Sequence, residues 1–420
     1  MSPLPRDPLL DSTLALFANP YGFIAERCRR LRSDLFEARI LLRPTVCMSG
    51  QAAARLFYDE GVIERHGAAP EPLRATLFGK GGVQGLDGAA HRHRKALFLQ
   101  ILAPEAVAVL AARTQRLWEH AAAQWQPGQQ IVLYETAQAL LTQAVCDWAG
   151  VPLDPSQAPS RTSALAALYD SAARGPVLHL RARLARRQAE RWMAGLVEAT
   201  RRGELHPRPH QALHRIAWHR DLDGELMSPK VAATELLNVL RPTVAVSVYI
   251  VWTVLALTEH PRCRLRLEDG DERYLLCFLQ EVRRHYPFFP AVAGRVKRDV
   301  EWHGVLLRKG QRALLDLHGT NHDPRSWESP GEFLPERFLG VPPSPYAFVP
   351  QGGATVERHH RCPGEGLAVA LMGAAARALL PVLPITLPMQ NLEIDTRRLP
   401  ALPRSHLVIE RRAAPAHAGT

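Results

Sequence analysis

Apolar residues recur at helical spacing along most of the 420-residue chain. The longest such pattern begins at Ser228-Pro229, where a favourable N-cap residue precedes proline at the first helical position. It continues through Leu257 and is ended by Glu259-His260-Pro261. A helix of about thirty residues would be roughly 45 Å long, which is enough to cross a whole domain.

The remaining pattern is helical with a minor β component. Helices are predicted in LAALYDSAA, in the Arg-rich segment that reaches LVEATRR, in DERYLLCFLQEVRRHYP and in LAVALMGAAARALL. Strands are predicted in FEARILL, TVCMSG and ALLDLHGT, and a proline-rich stretch, PGEFLPERFLGVPPSPYAF, precedes the last helix. We therefore expect a mainly α (α+β) fold, with one domain over residues 1–410 and a flexible tail at 411–420.

Composition narrows the function classes. With 46% hydrophobic and 22% charged residues and a mean hydropathy of −0.14, the chain is typical of a globular protein. It shows no signal peptide and no charge-free apolar run of about 18 residues, so no membrane anchor and a cytoplasmic location are expected. The net charge of +11 comes almost entirely from scattered arginines without interleaved aromatics, so nucleic-acid binding is not expected.

The six cysteines are far apart and form no CxxC pair, which argues against a zinc ribbon or a disulfide framework. Cys362 alone has unusual neighbours, in RHHRCPGEG. A thiol placed there at the start of a helix is favoured as a thiolate, which suits a nucleophile or a metal ligand. A buried cysteine that caps a helix is the alternative. The basic residues beside it could pair with the carboxylates of a cofactor.

A second pattern is Glu281-Val-Arg-Arg284, in which Glu281 and Arg284 share one helix face at i, i+3. Such pairs are usually exposed ion pairs. Arg337, in the PERF segment of the proline-rich stretch, could join them in a buried network that fixes this stretch against the helix.

The set of ExxR, PERF, cysteine followed by PGEG, and a long upstream helix resembles the cytochrome P450 family over nearly the whole chain. The resemblance implies a P450 fold, in which the long central helix lies over haem and the β-sheets are small. It also implies haem b as cofactor, with Cys362 as the axial thiolate ligand of the iron. Glu281, Arg284 and Arg337 would be the structural triad of the family.

Two features depart from the usual P450 pattern. Phe348 stands fourteen residues before the cysteine instead of seven. Arg241-Pro242 stands in the central helix where monooxygenases have an acid-alcohol pair. Pro242 costs about 3 kcal/mol in a helix interior and predicts a kink. Arg241 lies in an apolar segment and needs an anion there, unless it reaches solvent or pairs with Glu235.

These departures resemble the fatty-acid peroxygenase branch of the P450s, which contains bacterial α- and β-hydroxylases and decarboxylases. The resemblance implies that Arg241 holds the substrate carboxylate, which then acts as general acid-base toward hydrogen peroxide. It implies hydroxylation at the α or β carbon, with minor decarboxylation to an alkene, and no obligatory reductase or ferredoxin. Gln84 and Pro242 join Arg241 as catalytic candidates, and glutamine at position 84 favours hydroxylation over alkene formation.

The same resemblance assigns the supporting residues. Phe78, Phe288 and Tyr169 match positions that line the substrate pocket, although each aromatic could equally be a core residue. The positions that match haem-propionate contacts are His91, Lys95, Arg65 and His360, with a solvated basic face as the alternative.

Three other functions stay open at this point. A conventional monooxygenase with redox partners would require the acid-alcohol pair. A fatty-acid hydroperoxide isomerase or lyase tolerates a long cysteine loop but does not explain Arg241-Pro242. A non-enzymatic haem or lipid-binding protein would show no turnover with peroxide and fatty acid.

Overall fold

The computed structural model describes residues 4–171, 176–382 and 385–411. Most of them lie in helices. The α-helices are α1 (Thr13–Ala18), α2 (Phe23–Leu31), α3 (Gln51–Phe57), α4 (Glu71–Leu73), α5 (Gly88–Ile101), α6 (Pro104–Gln124), α7 (Leu133–Ala149), α8 (Ala158–Asp170), α9 (Pro176–Arg201), α10 (Ala212–Ala217), α11 (Pro229–Glu259), α12 (Pro261–Glu268), α13 (Glu272–His285), α14 (Leu317–Asn321) and α15 (Glu365–Leu379). A π-helical turn covers Arg74–Phe78, and 3₁₀ turns cover Val83–Gly85, Pro335–Phe338 and Leu380–Val382.

The strands of the described residues form small sheets. They are β1 (Leu35–Ile40), β2 (Arg43–Met48), β3 (Ile63–Glu64), β4 (Gln130–Val132), β5 (Ala291–Val296), β6 (Val300–Trp302), β7 (Val305–Leu307), β8 (Arg312–Asp316), β9 (Ile385–Thr386), β10 (Ile394–Asp395), β11 (Leu402–Pro403) and β12 (Val408–Arg411). The largest sheet has the order β1-β2-β8-β5-β3, with β2 and β8 parallel and the other pairs antiparallel. The others are β4-β12-β9 and two hairpins, β6-β7 and β10-β11.

Helix α11 is the centre of the molecule. It begins as the sequence predicts, with the Ser228 hydroxyl accepting a hydrogen bond from Val231 N at 3.3 Å. It runs as one helix of 31 residues through Pro242 and packs against α7, α9 and α15. Nearly every side chain from Ala232 to Leu257 is buried, so its apolar character is explained by the core around it.

Among the described residues, α11 and the helical stretch Glu365–Val382 are long and apolar enough to cross a membrane by length and composition. Their most apolar windows are 94% and 61% buried inside the fold. Packing within the protein therefore accounts for much of this apolar surface.

Two local predictions need correction or comment. The segment ALLDLHGT is not one strand: β8 ends at Asp316, whose Oδ1 accepts a hydrogen bond from Gly319 N at 2.7 Å and thereby starts α14. Capping by aspartate at this point overrides the β pattern. Arg411, the first residue of the predicted tail, pairs with Ile385 in the β12–β9 ladder. Residues 412–420 lie outside the described residues.

Candidate active site

Cys362 lies in a tight loop directly before α15. Its backbone N–H donates to the carbonyl of Gln351 at 3.0 Å, and the Gln351 amide lies 3.9 Å from the sulfur. Gly352 has a φ of +105°, and a Cβ there would meet the Cα of Arg361 at 3.1 Å. A residue with a side chain would therefore force the two passes of the loop apart.

The helix after the cysteine starts later than the sequence suggested. Pro363 and Gly364 form a turn, and Glu365 is the first residue of α15. Burial and the nearby Glu365 carboxylate raise the pKa of the Cys362 thiol, although the Gly364 N–H lowers it. The stabilisation of a thiolate by the start of the helix is thus weaker than the opposing effect of burial and Glu365. A bound metal cation would supply the positive charge that the Cys362 thiolate needs.

A clamp that the sequence reading missed holds this loop. Glu365 accepts from Arg361 Nε and Nη2, both at 2.9 Å, and pairs with Arg283 Nη2 at 3.0 Å. Arg283 Nε also donates to Gln351 Oε1 at 3.1 Å. Burial would raise the pKa of Glu365, but the two arginines lower it below its usual value. The first arginine of EVRR, Arg283, and the glutamate of PGEG were the available signals.

The predicted triad residues meet in the structure. Arg284 donates to both oxygens of fully buried Glu281, at 2.7 and 2.8 Å, and Arg337 Nε lies 3.3 Å from the same carboxylate. Glu281 also accepts from Leu334 N at 2.8 Å, and Arg284 donates to the carbonyl of Glu332 at 3.0 Å. These bonds fix the proline-rich stretch against α13.

Three of the predicted propionate contacts also converge. The rings of His91 and His360 stack at 3.8 Å, and His360 Nε2 lies 3.6 Å from Asp87, whose carboxylate accepts from Arg65 N at 2.8 Å. Burial and mutual repulsion lower the pKa of His91 to about 3, while burial lowers that of His360 to about 4. Among the described residues, His91 Nδ1 is buried without a hydrogen-bond partner.

Lys95 joins the same group from the next turn of α5. Its ammonium donates to the carbonyls of His359 and Arg361, the latter at 2.6 Å. Burial lowers its pKa to about 8. The side chain therefore ties α5 to the cysteine loop and stays close to the histidine pair.

On α11, Arg241 is buried, with 7% of its surface exposed. Its Nη2 makes a long hydrogen bond of 3.4 Å to Asn238 Oδ1, and its Nε has no partner in the part of the chain that the structure describes. Burial, and next the positive charge of Arg186, lower its pKa to about 9. A charged guanidinium that is buried in this way is stabilised by an anion, and no ion pair is formed with Arg241 by a carboxylate of the described residues.

Arg241 does not pair with Glu235, because that carboxylate is already bound. Arg94 Nη1 donates to Glu235 Oε1 at 2.7 Å, and Asn238 Nδ2 donates to Glu235 Oε2 at 2.9 Å. Asn238 Nδ2 also donates to Gln84 Oε1 at 3.1 Å. Asn238 thus connects Arg241, Gln84 and Glu235, a role that the sequence reading missed.

The three aromatic candidates border the same core. Phe78 ends the π-helical turn and packs against the main hydrophobic cluster, and Phe288 stacks on Tyr249 at 4.3 Å. Tyr169 is buried, and its hydroxyl accepts from Gln138 at 2.9 Å. Tyr169 therefore has a structural hydrogen-bond role, whether or not it contacts a substrate.

Comparison with known proteins decides the family. A profile described as Cytochrome P450 matches residues 271–397. A solved variant of cytochrome P450SP alpha (CYP152B1) is 45% identical, with a TM-score of 0.93 over 96% of this chain and 98% of that one. The chain belongs to the cytochrome P450 family.

Other proteins of the same family are also similar to this chain. Cytochrome P450EX alpha (CYP152N1), solved with myristic acid, is 40% identical with a TM-score of 0.93, covering 98% of this chain and 99% of that one. A variant of cytochrome P450 OleT, solved with arachidonic acid, is 31% identical with a TM-score of 0.94, covering 98% of each chain. Putative cytochrome P450 138 of Mycobacterium tuberculosis is 27% identical, covering 90% of this chain and 89% of its own length.

The fold and family predicted from the sequence are therefore confirmed, and this P450 is an oxidoreductase of the fatty-acid peroxygenase branch. Its cofactor is haem with an axial cysteine thiolate. The residues present fit that group. Cys362 offers a sulfur ligand, and the buried cations of Arg65 and Lys95, with the unpartnered His91 Nδ1, suit the two propionates.

Proposed function

We propose that this P450 uses hydrogen peroxide to hydroxylate fatty acids at the α or β carbon. One molecule of peroxide and one C–H bond give one hydroxy acid and one water, so no external electrons are required. The bound haem supplies the oxidising iron centre that transfers the oxygen atom. The observation that carries the proposal is Arg241, a buried guanidinium on α11 with an unpartnered Nε.

Arg241 binds the substrate carboxylate and thereby fixes which carbons can react. A charge-assisted hydrogen bond in a buried site is strong, and it orients the acid as well as holding it. Anchoring the carboxylate close to the reacting oxygen leaves only Cα and Cβ within reach. Pro242 follows directly and has no N–H. The turn of α11 that carries Arg241 therefore lacks one backbone hydrogen bond.

The bound carboxylate also moves the proton. It accepts a proton from peroxide and returns it to the oxygen that leaves as water, which replaces the acid-alcohol relay of a monooxygenase. Gln84 is tied to Asn238 and has no acidic proton to give, which favours hydroxylation over decarboxylation. Phe78 and Phe288 are proposed as walls for the alkyl chain.

Two observations disfavour a conventional monooxygenase. The hydroxyl of Thr243, next to Arg241-Pro242, donates to the carbonyl of Val239 at 2.8 Å. The carboxylate of Glu235 is held by Arg94 and by Asn238. Both groups are thus held by hydrogen bonds within the fold and do not bond to each other, which argues against an acid-alcohol pair here.

The test is turnover of myristic acid by purified holoprotein, with products identified by mass spectrometry. We expect 2-hydroxy or 3-hydroxymyristate with hydrogen peroxide alone. Product only with an electron donor and reductase would establish a conventional monooxygenase. No product under either condition, with a normal thiolate-haem spectrum, would indicate a binding protein.

We further propose a cytoplasmic enzyme without a membrane anchor or reductase partner.

A further inference from the structure

A second buried arginine lies near the site, on α9. Only 2% of Arg186 is exposed. Its Nε donates to Glu190 Oε1 at 2.7 Å, and its Nη1 makes a long bond of 3.5 Å to the carbonyl of Thr76. Its Nη2 is buried and has no hydrogen-bond partner among the described residues. One strong donor is therefore left unused in the interior.

Thr234 on α11 presents an unused hydroxyl beside this donor. The side chain is fully buried, and its Oγ1 has no partner within the described ranges. The buried threonines Thr243 and Thr253 of the same helix behave differently, because their hydroxyls donate to the carbonyls four residues earlier at 2.8 and 2.7 Å. The usual intrahelical bond is therefore not made at Thr234.

Gly79 brings these two side chains together. It has a φ of +82°, and a Cβ there would contact both Arg186 Nη2 and Thr234 Cγ2, the latter at 2.6 Å. Gly79 follows Phe78, a proposed wall of the substrate pocket. The absence of a side chain at Gly79 thus lets the Arg186 guanidinium and the Thr234 side chain approach each other across this glycine.

The pair lies on the same side of α11 as Arg241. Thr234, Asn238 and Arg241 are spaced i, i+4, i+7 and so form one stripe, with Thr234 and Arg241 about two turns, roughly 10 Å, apart. After burial, the charge of Arg186 is the largest influence that lowers the pKa of Arg241. Both arginines therefore belong to one buried region.

The chemistry of the pair selects a neutral oxygen. Glu190 already balances the charge of Arg186. A second carboxylate bound beside Arg186 would therefore be buried without a positive charge to neutralise it. A hydroxyl group can accept from Arg186 Nη2 and donate to Thr234 Oγ1 at once. We propose that Arg186 and Thr234 form a second polar subsite, which binds the hydroxyl of a fatty acid already oxygenated along its chain.

This inference rests on the proposed function, since it assumes that Arg241 holds the carboxylate. The roughly 10 Å between Thr234 and Arg241 along the helix is shorter than an extended myristoyl chain, so a mid-chain hydroxyl is favoured over a terminal one. An enzyme that forms such a mid-chain hydroxy acid would supply the substrate, and this P450 would add a second hydroxyl near the carboxylate.

The test compares dissociation constants of myristic acid and of mid-chain and terminal hydroxymyristic acids, measured by calorimetry on the holoprotein. We expect the mid-chain hydroxy acid to bind about tenfold more tightly than myristic acid. In Thr234→Val, which keeps the side-chain shape, that ratio should fall to about one. Thr234→Ser should restore the ratio. The matched control Thr253→Val should keep it, since the Thr253 hydroxyl is bonded within the helix.

The outcomes separate the two proposals. Equal affinity for all three acids in the wild-type protein, or an unchanged ratio in Thr234→Val, would overturn the subsite while hydroxylation of myristic acid still stood. Absence of myristic acid hydroxylation would instead refute the proposed function, whatever the binding ratio. A preference for the terminal hydroxy acid would refute the placement of the subsite.

Discussion

Arg241 and Asn238 lie one turn apart on α11, and the only hydrogen bond of the Arg241 side chain among the described residues joins Nη2 to Asn238 Oδ1 at 3.4 Å. The bond is long and neutral, so it orients the guanidinium without neutralising it. The amide nitrogen of Asn238 is meanwhile shared between Glu235 and Gln84. The anion that Arg241 requires must therefore come from a ligand.

Removing this guanidinium tests the anchor directly. We expect Arg241→Ala to lower kcat/KM for myristic acid by about 100-fold or more, the loss of a charged hydrogen bond in a buried site. Haem content and the carbon monoxide spectrum should stay normal. The matched control is Arg377→Ala, which removes an exposed arginine paired with Glu272 and should change little. Wild-type rates in Arg241→Ala would contradict the carboxylate-anchor role.

A second prediction concerns the buried carboxylate of the triad. Glu281→Gln leaves Arg284 fully buried, and Arg337 mostly so, without a counter-charge, so we expect a loss of about 3–5 kcal/mol of unfolding free energy. The exposed pair of Glu272 and Arg377 supplies the control, because Glu272→Gln should cost less than about 1 kcal/mol. Denaturant titration of both variants measures the difference. Equal losses of unfolding free energy in Glu281→Gln and Glu272→Gln would show that the buried triad contributes no more to stability than an exposed ion pair.

A third prediction addresses haem retention. Lys95→Met removes a buried ammonium that bonds the carbonyls of the cysteine loop, and we expect haem to dissociate roughly tenfold faster. Transfer of haem to an excess of apomyoglobin gives the rate. Lys80→Met is the control, since Lys80 is exposed and its nearest carboxylate, on Glu71, is 3.8 Å away. An unchanged rate in Lys95→Met would leave Lys95 without a role in holding the cofactor.

Features that depend only on residues close together in the chain could be predicted from the sequence. The start of α11 at Ser228 and the pairing of Glu281 with Arg284 follow from capping and from i, i+3 spacing, so they could be predicted. The bond of Arg94 to Glu235 joins residues 141 positions apart, and no local pattern marks it. The approach of Arg186 to Thr234 likewise requires α9 to pack on α11. Tertiary contacts of this kind determine which buried polar atoms have no hydrogen-bond partner, so these atoms could not be predicted from the sequence.

The last prediction concerns pH and stability, and its focus is Asp316, at the junction of β8 and α14. The carboxyl is fully buried, accepts from Gly319 N at 2.7 Å and lies 3.4 Å from the Ser49 hydroxyl. Burial raises its pKa to about 7, while Arg29 is the nearby cation that opposes the shift. The thiols of Cys28 and Cys47 face it and have raised pKa values, since burial disfavours their charged forms too.

The folded protein therefore keeps a proton on Asp316 that the unfolded chain, with an ordinary aspartate pKa, releases near pH 4. Because the native state binds the extra proton, this group stabilises the fold at low pH, and its contribution falls as pH rises from about 4 to about 7, by about 1.4 kcal/mol per pH unit. Asp316→Asn keeps the acceptor oxygen and cannot ionise. We expect the unfolding free energy of the variant, relative to the wild type, to rise across that range and level off above it. A constant difference from pH 4 to pH 8 would show that Asp316 is already ionised in the folded protein.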